Sequence, residues 1–339
     1  MSLPMRMQES GVPLEKRGHD VLAARASILG PVTGKGGDDM ALASIYDAAR
    51  PSSTVRAYQL GQRTFAAWCS SNAIPYAFPA HAVTPEALAL FVSDLAFQGR
   101  KPATIQNYVA GVSAMHRAID IPSPADSSLV RNAMRAIRQS QGTRQAQAAP
   151  VRRTAIDTAL ARMGSGLIEL RDAALISLAY DTGARADNLV AFNHGDLELS
   201  DGVASIRIDR AKTDQEGKGR VVPVLPDTLA RLQVWIEAGG LDREGKAAPL
   251  FYPLSKKGMG ARLSRRDVAR IFSTRICPEA SAHSIRVGAA QDMRAAGFSN
   301  SDIAHAFGWK GDAMPARYTA HLDAQDSAAV KLARLQGRA

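Results

Sequence analysis

Between Ser127 and Ala155 the chain has no acidic residue but six arginines: Arg131, Arg135, Arg138, Arg144, Arg152 and Arg153. Arg131, Arg135 and Arg138 fall on one helical face. The stretch that follows, QSQGTRQAQAAPVRR, has linker composition. A basic helix running into a basic linker suits a chain that crosses a phosphate backbone between two domains. The length of 339 residues agrees, at roughly 100–200 residues per domain.

Composition narrows the setting. A hydrophobic content of 46% supplies a packed interior. The net charge of +10 favours a polyanionic partner, most often nucleic acid. No run approaches the roughly 18 apolar residues of a membrane helix, and the N-terminus lacks an apolar signal core. The expectation is a soluble, cytoplasmic protein without membrane contact. Cys69 and Cys277 are too far apart in sequence to form a disulfide framework or a metal cluster, and they read as buried or partly buried thiols.

Residues 1–44 read as a flexible N-terminal arm, and 45–138 as a helical domain. Its first helix starts near Ser53, with Val55, Tyr58, Phe65 and Trp68 in helical spacing. A second starts at Thr84-Pro85-Glu86, a cap followed by a proline whose missing N–H costs nothing in the first turn. A third starts at Thr104 and a fourth spans Ser127 to Arg138. Residues 139–153 form the basic linker. Residues 154–325 begin helical, then change to strand composition in VASIRIDRAKT and GRVVPVL around the charged turn DQEGKG, a predicted hairpin. Helix returns over Asp227–Glu237, with Asp227 as its cap, and again after Ser264. Within 326–339, SAAVKLARLQ is a short amphipathic helix standing apart. The expected class is mainly α with a small antiparallel β-sheet in the second domain.

The second domain contains no HExxH and no GxxxxGK[ST]. It holds instead a series of cations and donors that ends in a tyrosine: Arg185, Lys212, His283, Arg286, Trp309 and Tyr318. A phosphodiester attacked in line gathers negative charge on its non-bridging oxygens. Two guanidiniums are suited to hold that charge. His283 and the Trp309 indole add donors, and a lysine on a hairpin can protonate a leaving 5′-oxygen. Tyr318 can be the nucleophile, its pKa expected to be pulled down by the cations. No cofactor or metal is required.

These residues carry a resemblance. DTGAR, the hairpin lysine of IRIDRAKT, HSIRVGAAQDMRAAGFSNSDIAHAFGW and the tyrosine nine residues after Trp309 occur in the order and spacing of the tyrosine recombinase (phage integrase) family. The likeness is weaker but visible upstream, at FAAWC, PATIQNYVAGVSAMHR and VRNAMRAIR, and covers roughly residues 45–335. It implies a two-domain clamp around double-stranded DNA and a 3′-phosphotyrosine intermediate. It also implies strand exchange through a Holliday junction by a homotetramer on two short inverted-repeat sites, with residues 326–339 docking in trans. One position departs from the family pattern. Three residues after Arg185, where an acidic residue is usual, stands Asn188, with Asp187 beside it. The expected DNA contacts are the six arginines of the basic segment together with Arg265 and Arg266. The regions Thr104–Arg117 and Arg262–Thr274 are candidates for the major groove. Competing expectations are a type IB topoisomerase-like or telomere-resolving enzyme using the same chemistry, and a DNA-binding protein that has lost catalysis.

Overall fold

The structure, a computed structural model, describes residues 50–76, 78, 82–119, 121–143, 147–208, 219–254, 262–325 and 327–338. The expected arm (1–44), Arg144, and Lys212 with its charged turn lie outside the described residues. The chain divides into two compact units, Met1–Gln145 and Ala146–Ala339. No helix among the described residues is long and apolar enough to cross a membrane.

The first unit is helical: α1 (Ser52–Ser71), α2 (Pro85–Phe97), α3 (Pro102–Ala118) and α4 (Ser128–Gln141). Three of these starts have a local cause. Thr84 Oγ1 accepts the Ala87 N–H, and Ser127 Oγ accepts the Val130 N–H. The third helix begins at Pro102, not Thr104, because a proline in its first turn needs no N–H partner. The apolar stripes meet in one core containing Phe65, Phe91, Val112 and Met134. Arg131, Arg135 and Arg138 stay on the exposed side of α4.

The second unit contains α5 (Arg153–Leu160), α6 (Leu167–Thr182), α7 (Ala186–Ala191), β1 (Leu197–Ser200), β2 (Val203–Ile208), β3 (Arg220–Val224), α8 (Pro226–Gly239) and α9 (Leu241–Glu244). It continues with α10 (Arg265–Arg275), α11 (Ala282–Ala295), α12 (Asn300–Phe307), α13 (Ala313–Gln325) and α14 (Ala328–Leu335). The predicted hairpin strands β2 and β3 pair antiparallel, Ile206 opposite Val222 and Ile208 opposite Arg220. Strand β1, which sequence reading did not separate, adds to the other edge of β2. Ala204, Ile206, Val222 and Val224 turn one face of the sheet into a core shared with α6 and α8.

Two local expectations change. The eighth helix starts at Pro226 with Leu225 at its cap, so Asp227 lies in the first turn. Its carboxylate instead accepts from Arg153 and Arg231 at 2.8 and 3.0 Å. The linker is also shorter than 139–153. Helix α4 runs on to Gln141, and from residue 147 the chain is fastened to the second unit. There the Val151 N–H donates to Ser284 O at 2.9 Å. Arg152 Nε and the Arg153 N–H both donate to the Asp292 carboxylate, at 2.6 and 2.8 Å.

Candidate active site

Two helix ends build the site. Helix α6 ends at Thr182 and α12 at Phe307, and each is closed by a glycine in the left-handed region: Gly183 with φ 54° and Gly308 with φ 60°. The two ends also crowd together. A Cβ on Gly183 would lie 2.4 Å from Cδ1 of the Phe307 ring, so space as well as backbone angle requires glycine there. Arg185 stands two residues beyond the first cap and Trp309 directly after the second. Helix α11, capped by Ser281, carries His283 and Arg286 three residues apart on one face. Helix α13 carries Tyr318. Its carbonyl accepts from Gln291 of α11 at 3.0 Å and from Gln147 at 3.4 Å.

Arg286, only 4% exposed, binds main chain. One of its Nη atoms donates to Gly183 O and the other to Phe307 O, the latter at 3.1 Å. Its guanidinium lies 4.7 Å from the Trp309 ring centroid, within cation–π range. The Trp309 ring in turn meets Tyr318 edge-on at 5.3 Å, and His283 meets Tyr318 edge-on at 5.6 Å. Trp309 thus packs between a buried cation and the phenol, with Tyr318 only 3% exposed. A pocket of about 310 Å³ opens on this group, lined by Arg185, Arg265, His283 and Arg286, with Val268 and Ala269 in its wall. It presents cations and one imidazole to whatever enters.

The electrostatics follow from burial among like charges. Burial, the neighbouring Arg185 and then Arg220 push Arg286 down to about 9, while Tyr318 pulls the other way; it is still a cation at neutral pH. His283 is lowered by desolvation and then by Arg286, Arg317 and Arg185, so its imidazole is neutral at pH 7. Tyr318 reverses the sequence expectation. Burial raises its pKa, outweighing the pull of Arg286, Arg317 and Arg185, and the phenol keeps its proton in the free protein.

Arg185, His283, Arg286, Trp309 and Tyr318 therefore come together as the sequence suggested. Asp187 does not join them; its carboxylate pairs with exposed Arg265 of α10 at 3.2 Å. Asn188 is half-buried in the same turn, its N–H donating to Arg185 O at 2.9 Å. Of the expected DNA contacts, Arg266 and Arg135 are exposed. Arg131 donates to Asp126 O and Arg138 to Gln106 Oε1. Arg152 and Arg153 are engaged inside the second unit with Asp292, Asp157 and Asp227. Sequence reading missed Arg220, Gln291 and Gln147. Arg220 had a signal: it is in phase with buried Val222 and Val224 on β3, a cation on the inward face of a strand.

The fold and this constellation define a mainly helical catalytic unit built around clustered arginines and a tyrosine. The Phage integrase family matches residues 149–325, and Recombinase cre of Escherichia phage P1 is 30% identical over 294 residues, 80% of this chain and 84% of that protein. The chain belongs to the phage integrase family, the tyrosine-type site-specific DNA recombinases. The Integrase/recombinase xerD homolog of Selenomonas ruminantium is 28% identical over 238 residues, 66% of this chain and 67% of that protein. Among solved structures, XerH site-specific recombinase bound to difH substrate, in a pre-cleavage complex, superposes with a TM-score of 0.57 at 17% identity. The match covers 94% of this chain and 97% of that one.

Proposed function

We propose that this recombinase cuts and rejoins double-stranded DNA through Tyr318. The observation that carries the reading is Tyr318 itself, buried against His283 and Trp309 beside the Arg286 guanidinium. The phenol oxygen attacks the scissile phosphorus. The new Oη–P bond forms as the P–O5′ bond breaks, leaving a 3′-phosphotyrosine that conserves the bond for rejoining. Neutral His283 accepts the phenol proton, and Lys212 donates one to the departing 5′-oxygen. Arg185 and Arg286 hold the charge that grows on the non-bridging oxygens. Side-chain cations thus do the work a metal would otherwise do.

The larger assembly belongs to the same proposal. The two domains, 45–138 and 154–325, clamp a short inverted-repeat site. Four protomers join two sites and exchange strands through a Holliday junction. Helix α14 docks into a neighbouring protomer; it has no buried residue, and Leu332 and Leu335 are exposed. Exposed Arg131, Arg135, Arg138, Arg265 and Arg266 supply phosphate contacts, so binding weakens steeply with salt.

The test is a nicked suicide substrate made from a site selected out of a random DNA pool. The unmodified protein becomes covalently attached to it, and Tyr318→Phe binds the site without attachment. Attachment by the Phe variant would overturn the assignment of the nucleophile. Covalent attachment with supercoil relaxation, but without junctions or exchange products, would overturn strand exchange.

A further inference from the structure

Arg286 has a twin. Arg220, the first residue of β3, donates through Nη2 to Thr182 O at 3.1 Å and through Nη1 to Ala306 O at 2.8 Å. Arg286 spans the adjacent carbonyls, Gly183 O and Phe307 O. The two guanidiniums are thus parallel ties between the same two helix ends, the one leading to Arg185 and the one leading to Trp309. These carbonyls lie at helix C-termini, where the peptide dipoles place negative charge. Gly308 leaves room for the second tie, since a Cβ there would lie 2.9 Å from Arg220 Cδ. Among the described residues no carboxylate pairs with Arg185, Arg220 or Arg286. Burial and Arg185 lower the Arg220 pKa, which places it in the same field as the catalytic arginines.

We propose that Arg220 is a positioning residue of the phosphate site: it locks the Arg185 turn to the Trp309 turn and adds a third positive charge behind the scissile phosphate. This rests on the phosphotyrosine reading above. It also gives the hairpin a role. Arg220 pairs with Ile208 at the described base of the β2–β3 hairpin, so one side chain fastens that base to both helix ends. Carbonyl partners orient the guanidinium without cancelling its charge. A carboxylate partner would cancel it. An arriving phosphodiester is then the anion that relieves repulsion among three clustered cations.

The experiment uses the full-length protein, the selected site, and two substrates that differ only at the scissile linkage: a phosphodiester and an uncharged methylphosphonate. Arg220→Met keeps the apolar stem and removes the charge. Arg220→Lys keeps the charge and removes the two-pronged bridge. Both are expected to bind the site within about threefold of the unmodified protein, because the lost group is engaged with Thr182 O and Ala306 O and not with the wider DNA backbone. Arg220→Met is expected to slow covalent attachment to the phosphodiester about 100-fold, the scale of losing one preorganised charge stabiliser, and Arg220→Lys at least about tenfold. On the methylphosphonate the Arg220→Met deficit shrinks to within about threefold, because one of the two charged non-bridging oxygens is gone and the transition state carries one negative charge fewer. Equal deficits on both substrates would reduce Arg220 to a folding role and overturn the proposal, as would an undiminished rate on the phosphodiester. If Arg220→Met is too unstable to assay, Arg220→Gln, which also lacks the charge, carries the same comparison. Failure of the unmodified protein to attach at all would strike the phosphotyrosine reading, not this one.

Discussion

Helix propensity and packing disagree about Gly288, and the disagreement can be measured. Gly288 sits inside α11, between the turn of His283 and Arg286 and the helix end. Propensity alone says that Gly288→Ala stabilises the helix by about 1 kcal/mol. Packing says the reverse. The added Cβ would lie 1.8 Å from Val151 O, 2.3 Å from Val151 C and 2.9 Å from Arg152 N, all main-chain atoms. The 151–152 backbone must retreat by about 1.6 Å to reach ordinary contact at 3.4 Å. That movement breaks the Val151 N–H to Ser284 O hydrogen bond and pulls on the bonds to Asp292. A buried peptide bond left unpaired costs about 1–3 kcal/mol, and overpacking costs about as much again. Less the propensity gain, the variant loses on the order of 3 kcal/mol. In a unit of this size that lowers Tm by on the order of 10 °C. Thermal unfolding followed by near-ultraviolet circular dichroism reads the shift. An unchanged or raised Tm would refute the argument, because it would show that the segment is not held against α11.

Three further predictions use the same reasoning. The His283 pKa is lowered in the folded protein, so its NMR titration has a midpoint below about 6.5, and Arg317→Gln raises that midpoint; a wild-type midpoint at or above 6.5 would refute the cation cluster. His116 is fully buried, its Nε2 accepting the Val83 N–H at 3.1 Å and its Nδ1 against Val112 O, and burial lowers its pKa. Its folded pKa lies below its unfolded value, so its contribution to stability is complete above about pH 6.5 and falls away as pH drops toward the folded value; urea midpoints of His116→Gln should lose the part of that acid slope that wild type shows. Asp187→Asn removes only an exposed ion pair, so stability changes by less than about 1 kcal/mol and covalent attachment is unaffected; a tenfold slower attachment would make Asp187 a supporter of Arg185 after all.

How legible the fold was depended on whether a signal was local. Thr84 before Pro85, and Ser264 three residues before Asp267, mark helix starts through their own side chains, and both caps form. The stripe of α3 faces the core as its spacing predicts. Helix α6 is buried on nearly every side, including Arg171 and Asp172, so no apolar stripe could reveal its facing. Asp227 satisfied the local rule for a cap, but Arg153, 74 positions away, takes its carboxylate. Strand β1 has exposed side chains along most of its length, which leaves no alternation to read. The residues of the candidate site were legible for another reason. Their types and spacing fit one reaction, and chemistry constrains them more tightly than packing does. The direction of the Tyr318 shift was not legible, because charge can be counted from a sequence and burial cannot.

Asn188 raised the question of what orients Arg185 when the acidic neighbour usual in this family is absent. Asp187 does not take that part, since its carboxylate faces Arg265. The turn that carries Arg185 is nonetheless held on both of its leading carbonyls, Thr182 O by Arg220 and Gly183 O by Arg286. The constraint therefore runs through backbone and helix dipoles rather than through a counter-ion. An acid at position 188 would place a negative charge one turn from Arg185, where it would offset part of the positive charge proposed to hold the phosphate oxygens. A neutral residue there leaves the cluster more positive, and the twin arginine ties supply the rigidity that a counter-ion would otherwise provide. On this argument Asn188→Asp should not speed covalent attachment. A faster Asp variant would show that a carboxylate orients Arg185 better than the two ties do.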